Sequence, residues 1–323
     1  MTTRRELLGL LCLAPLLARA QQRKVYRIGV LETTSLRLNA ENFDHFRTGL
    51  RERGYVEGPT LVIAYRSAEG RTERFAELAA ELVKSKVDLI LARGTPATLA
   101  ARKATATIPI VMAAVGDPVE SGLAASLARP GGNVTGLTSA AVELVPKRLE
   151  LLKALVPRMT RVAAYSNLAN TAAASTWKEI QAAARAMGVQ AQLLDVRSEQ
   201  QIAPAFDTAV RDGAQALIVG IETLAASNRK LIVELAAKHR LPAMYSAREF
   251  VGDGGLMSYG VSYPDLYYRA AGFVDRILKG ATPAELPIER PAKFSLYINR
   301  RTARSLDLVI PPDLFLRADR VLD

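Results

Sequence analysis

The chain has 323 residues, with 43 Lys and Arg against 32 Asp and Glu, a formal net charge of +11, two histidines and one cysteine. That length has room for two domains. The basic surplus is spread along the chain, and its densest patch, Arg300, Arg301 and Arg304, has no interleaved aromatics and reads as a solvated helix face, so a nucleic-acid partner is not expected.

The first twenty residues stand apart. Arg4 and Arg5 precede an unbroken apolar run from Leu7 to Leu17, and Ala18-Arg19-Ala20 places small residues two apart. This is the layout of a secretory signal peptide, with a run too short for a membrane-spanning helix. Thr3-Arg4-Arg5-Glu6-Leu7-Leu8 fits a twin-arginine export signal as well as an ordinary basic leader. Leu11 before Cys12 is the wrong neighbour for lipid attachment. Cleavage after Ala20 leaves 303 residues and removes the cysteine; with Arg4, Arg5 and Arg19 leaving alongside Glu6, the charge falls to +9. A soluble, periplasmic, monomeric protein without disulfides is expected.

Beyond residue 24, short β-branched runs alternate with amphipathic stretches. Strands are expected at Tyr26–Leu31, Leu61–Tyr65, Val87–Ala92, Ile108–Ala113 and Val134–Thr138. Phe43, Phe46 and Leu50, then Phe75, Leu78, Ala79, Leu82 and Val83, recur at helical spacing between them. Strands apolar throughout, such as VDLILA, suit a parallel sheet covered on both faces. A second round follows, with strands at Arg161–Tyr165, Val189–Leu194, Ala216–Gly220, Pro242–Tyr245 and Leu256–Tyr259, and helices at 141–156, 172–187, 199–211 and 226–239. The tail adds a helix at Asp265–Lys279, a strand at Phe294–Ile298 and a segment containing Pro311-Pro312. The expected fold is α/β, with two Rossmann-like lobes of parallel strands joined by crossing hinge segments. Residues 21–138 with 262–323 form the expected first lobe, and 139–261 the second.

Catalytic constellations are missing from this pattern. His45 and His239 read as surface histidines, and with no cysteine left after cleavage there is no metal-ligand spacing. No G-x-S-x-G elbow, dinucleotide fingerprint or phosphate-binding loop occurs, so neither catalytic residue, metal nor cofactor is expected. Open α/β sheets bind small molecules outside the carboxyl ends of their strands. Those ends carry Thr33, Thr95, Asp117, Ser166, Asn167, Tyr245 and Tyr259, the expected ligand-binding set. Asp117, if unpaired by the protein, suits an ammonium or hydroxyl group, Thr95 and Ser166 at helix starts a carboxylate or other acceptor-rich group, and Tyr245 an apolar portion. Each taken alone is equally an ordinary cap or packing residue.

The stretch GTPATLAARKATATIPIVMAAVGDPVESGLAASLARPGGNVTGLTS, Gly94–Ser139, resembles the central block of a family of bacterial ABC-transporter substrate-binding proteins, some of which serve aromatic amino acid uptake. Leu235–Asp323 and the leader ending ARAQQ resemble it too, so the likeness covers essentially the whole chain. Glu222 departs from it, since the family favours a shorter acidic residue there. The resemblance implies the type I periplasmic-binding fold, closure of two lobes on a small molecule, and delivery to an ABC permease in the inner membrane without catalysis. A ligand sensor docking on a membrane signalling receptor is the alternative.

Overall fold

A computed structural model describes residues 24–220 and 222–323. The leader, with its expected cleavage site, lies outside the described residues. The first round runs β1 (Tyr26–Glu32), α1 (Ala40–Glu52), β2 (Leu61–Ser67), α2 (Phe75–Lys84), β3 (Leu89–Arg93), α3 (Gly94–Ala104), β4 (Ile110–Val115) and β5 (Val134–Thr138). These strands form one parallel sheet in the order β2-β1-β3-β4-β5. Every residue of β3, β4 and β5 is buried, as continuous apolar strands between two helical layers require.

The second round runs α4 (Val145–Leu155), β6 (Arg161–Ser166), α5 (Thr171–Ala186), β7 (Gln190–Asp195), α6 (Ile202–Arg211), β8 (Ala216–Val219), α7 (Thr223–Ser227), α8 (Arg229–Lys238), β9 (Ala243–Tyr245), α9 (Arg248–Gly252) and β10 (Met257–Val261). The single helix expected over 226–239 is two, parted at Asn228, whose side-chain amide donates to the Leu224 carbonyl at 3.1 Å. Local hydrogen bonding of this kind is what an Asn offers in place of a continued helix.

The tail is α10 (Tyr263–Leu278), β11 (Phe294–Asn299), α11 (Arg300–Ser305), α12 (Pro312–Leu316) and β12 (Arg320–Leu322). It divides between the sheets. Helix α10 lies on the first lobe against α1, and a Cβ at Gly49 would come within 2.8 Å of Ala271 Cβ, so glycine sets how closely the two helices approach. Strands β11 and β12 instead extend the second sheet, whose order is β12-β11-β10-β9-β8-β6-β7. Residues 294–323, expected with the first lobe, therefore add to the second. The reason is burial: Leu296 and Ile298 pack into the second lobe's core beside Met257, along an antiparallel pairing with β10.

The chain thus passes between the sheets three times, at residues 139–144, at Ser262 and at 289–293. The third passage starts beside the end of β5, with Thr138 N–H donating to the Glu289 carbonyl at 3.0 Å and Glu289 N–H to the Gly136 carbonyl at 2.9 Å. Among the described residues no helix is long and apolar enough to cross a membrane.

Candidate ligand-binding cleft

In the first sheet the chain goes from β1 to β2 on one side and then back past β1 to β3 on the other, so the strand order reverses at the carboxyl ends of β1 and β3. The second sheet reverses in the same way between β6 and β8. Such switch points leave crevices where α/β proteins take small molecules. Here the two crevices face each other. One cavity is lined by Thr33, Arg93 and Thr95 from the first and by Ser166, Gly220 and Glu222 from the second. Ala172, Ala173 and Ile180 of α5 and the Tyr165 and Tyr263 rings supply apolar surface.

On the first lobe's wall the buried charges answer one another. Glu32 is fully buried, accepts from its neighbour Thr33 N–H at 3.1 Å, and lies 3.8 Å from the Arg93 guanidinium. The Tyr267 hydroxyl donates to its other oxygen. Burial pushes the Glu32 carboxyl up, while the Arg93 charge and these hydrogen bonds pull it down. Arg93 also donates to Asn39 Oδ1 at 3.3 Å and lies 4.6 Å above the Tyr263 ring. Helix α3 follows Arg93 directly, so its free N–H groups begin at the cavity wall.

The second lobe's wall is different. Helix α5 is capped by Asn170, whose Oδ1 accepts from Ala172 N–H at 3.1 Å and whose Nδ2 donates to Glu222 at 3.1 Å. Glu222 is 6% exposed. Its carboxyl is pushed up to about 7, foremost by burial, against hydrogen bonds from Asn170, Asn167 N–H and Ser166. All three donors are neutral, and among the described residues no Lys or Arg pairs with it. Arg148 is 2% exposed; its Nε donates to the Tyr259 carbonyl at 2.8 Å and Nη1 to the Ala141 carbonyl at 3.1 Å. Arg148 Nη2, Thr33 Oγ1 and the Tyr165 and Tyr263 hydroxyls are buried without a hydrogen-bond partner, and all four residues line the cavity.

Of the residues expected from sequence, Thr33, Thr95 and Ser166 meet at this cavity. Asp117 turns away: its Oδ1 accepts from Val119 and Glu120 N–H at 2.9 Å each, capping a turn beside a shallow hollow on the rim. Asn167 lies behind Glu222, its Oδ1 accepting from Ala169 N–H at 3.0 Å. Tyr245 is stacked on Phe250 at 4.7 Å inside the second lobe, because β9 is a short central strand buried on both faces. The Tyr259 ring packs near Phe294, and this residue serves the site through its carbonyl oxygen. His45 is exposed and His239 packs on Phe206. Arg93, Arg148 and Glu222 were absent from the expected set. Arg148 carried a signal, since it falls on the same helix face as Val145, Leu149 and Leu152, where a charge has no reason to be unless it is used.

Two lobes of like topology, three connecting passages and a cavity between opposed switch points define the fold of periplasmic type I binding proteins. The family model for ABC transporter substrate binding proteins matches residues 27–322, and the chain belongs to that family. It is similar to a tyrosine-binding protein of Clostridioides difficile (strain R20291), 29% identical over 263 residues, which are 81% of this chain and 75% of the relative. It is similar in structure to an ABC domain in complex with L-Trp from Streptococcus pneumonia, with a TM-score of 0.86, 28% identity, and coverage of 93% of this chain and 100% of that one. A conserved domain protein from Vibrio cholerae O1 biovar El Tor str. N16961 superimposes with a TM-score of 0.87 at 26% identity, covering 92% of this chain and 100% of the other.

Proposed function

We propose that this protein is an exported, monomeric receptor that captures an amino acid, an aromatic one before others, between its lobes and delivers it to an ABC permease in the inner membrane. The observation that carries the reading is Glu222, a buried carboxylate on the cleft wall whose partners are all neutral donors. An ammonium group supplies the missing charge. A carboxylate suits the opposite end of such a ligand, because α3 begins at the cavity without a side-chain cap and presents free N–H groups with the positive end of the helix dipole. Ala172, Ala173, Ile180 and the Tyr263 ring suit a hydrocarbon or aromatic side chain. The tyrosine-binding relative and the neighbour holding L-Trp favour the aromatic class.

Export rests on the leader, and delivery on the family to which the chain belongs. The lobes that close are residues 24–138 with α10, and the second round from α4 to β10 with β11 and β12, turning about the three passages.

Calorimetric titration of the mature chain with L-tryptophan, L-tyrosine, L-phenylalanine and non-aromatic amino acids tests the proposal. Saturable binding of at least one amino acid is expected, with a smaller radius of gyration in small-angle scattering and recovery of the ligand unchanged. No binding across the set, or conversion of the ligand, overturns it. The exported chain should begin at Gln21.

A further inference from the structure

Arg148 sits in the first turn of α4, just past the first passage between the lobes. Its Nη1 bond to Ala141 ties it to that passage, and its Nε bond to Tyr259 ties it to the middle of β10, three residues before the second passage at Ser262. A Cβ added at Gly260 would lie 3.7 Å from its Nη2, so the free end of the guanidinium rests against β10, two residues before the second passage. One buried side chain therefore holds the first hinge segment against β10, the strand that leads into the second, while its remaining nitrogen lines the cavity without a partner.

Charge sharpens the point. The acceptors of Arg148 are neutral carbonyl oxygens, and among the described residues no carboxylate pairs with it. Burial lowers its pKa to about 10, which still leaves it a cation at neutral pH. A buried cation without a counter-charge is costly, and a side chain needed for packing alone would carry no charge. The counter-charge has one place to come from, the cavity itself.

We infer that Arg148 reads the ligand's carboxylate through Nη2 and, through Nε and Nη1, registers its arrival at the hinge. The inference rests on the amino-acid reading above for the identity of the ligand, and stands apart from it in requiring a carboxylate whatever the rest of the ligand is. A guanidinium suits the task because its planar fork can serve three acceptors in fixed directions, which an ammonium on a flexible stem cannot.

The test compares wild type with Arg148→Gln and Arg148→Lys, using L-tryptophan, its carboxamide (which keeps the ammonium and loses the carboxylate), and acetate against acetamide at matched ionic strength. Affinities come from calorimetry, thermal shifts from the two small probes, and closure from scattering at saturating tryptophan. In wild type, tryptophan should bind more tightly than its amide, and acetate should stabilise where acetamide does not. In Arg148→Gln the preference for tryptophan over its amide should shrink by about tenfold or more, as losing a charge-assisted hydrogen bond predicts, and the acetate effect should vanish. Binding of the amide should change little, and closure at saturation should be smaller. Arg148→Lys should keep part of the preference and remains informative should the glutamine variant not fold.

Failure of tryptophan to bind wild type, with the acetate effect present and dependent on Arg148, sinks the aromatic reading and leaves this inference standing. A preference for carboxylate that persists in both variants, or no acetate effect on wild type, overturns the carboxylate role. Full closure in Arg148→Gln once saturated overturns the hinge role.

Discussion

The two walls of the cleft are built on opposite electrostatic plans. On the first lobe, Glu32 and Arg93 lie 3.8 Å apart, with Tyr267, Thr33 and Asn39 satisfying what remains. The charges of that wall are paired without a ligand. On the second, Glu222 and Arg148 are both buried, neither has a charged partner among the described residues, and each is held by neutral groups. The contrast separates a charge that supports the fold from a charge kept for a visitor. Burial and a perturbed pKa are common to both walls; only the missing counter-charge marks the functional one.

The largest effect should come from breaking the paired wall. Arg93→Met leaves Glu32 buried beside no cation, and stability in urea denaturation should fall by about 3 kcal/mol or more, with part of the loss recovered when Glu32→Gln is added. A single variant as stable as wild type would mean that the first wall is not a pair at all.

Glu222→Gln should do the reverse on the other wall. Affinity for an amino acid should drop about tenfold or more in calorimetry. Stability should rise near neutral pH and above. Between about 4.5 and about 7 the folded chain holds a proton on Glu222 that the unfolded chain has released. Stability contributed by that proton is therefore present at low pH and lost as pH rises through this window, and the glutamine variant escapes the loss. A variant that binds as wild type does would move the ammonium site elsewhere.

The same proton competes with the ligand. Wild-type affinity should weaken steadily as pH falls from about 8 to below about 6, because an ammonium requires the ionised carboxylate, and the slope should be absent in Glu222→Gln. Equal slopes in both proteins would assign the dependence to another group.

Asp117→Asn sets the small end of the scale. Its carboxylate caps a turn at the rim, so a loss of about 0.5–1 kcal/mol in stability with unchanged affinity is expected. A tenfold loss of affinity would instead bring Asp117 into the site.

Sequence periodicity was enough to recover the first-lobe strands and those of the second through β11, because apolar strands of a covered parallel sheet and one-sided helices impose their own spacing on the residues. The residue types at strand ends likewise brought Thr33, Thr95 and Ser166 into view. Tyr245 and Asp117 were indistinguishable from them in one dimension, since any residue after a strand reaches the same edge of the sheet and only its rotamer and neighbours decide whether it turns to the cleft, to the core or to its own backbone. Assignment of the tail was beyond local pattern too, because β11 alternates as any half-buried strand does and its choice of the second sheet depends on the core that receives Leu296 and Ile298. Glu222 and Arg148 illustrate the same limit from the other side. Their charges were legible in the chain, but the absence of a counter-charge is a property of everything that packs around them, and only the tertiary structure determines that.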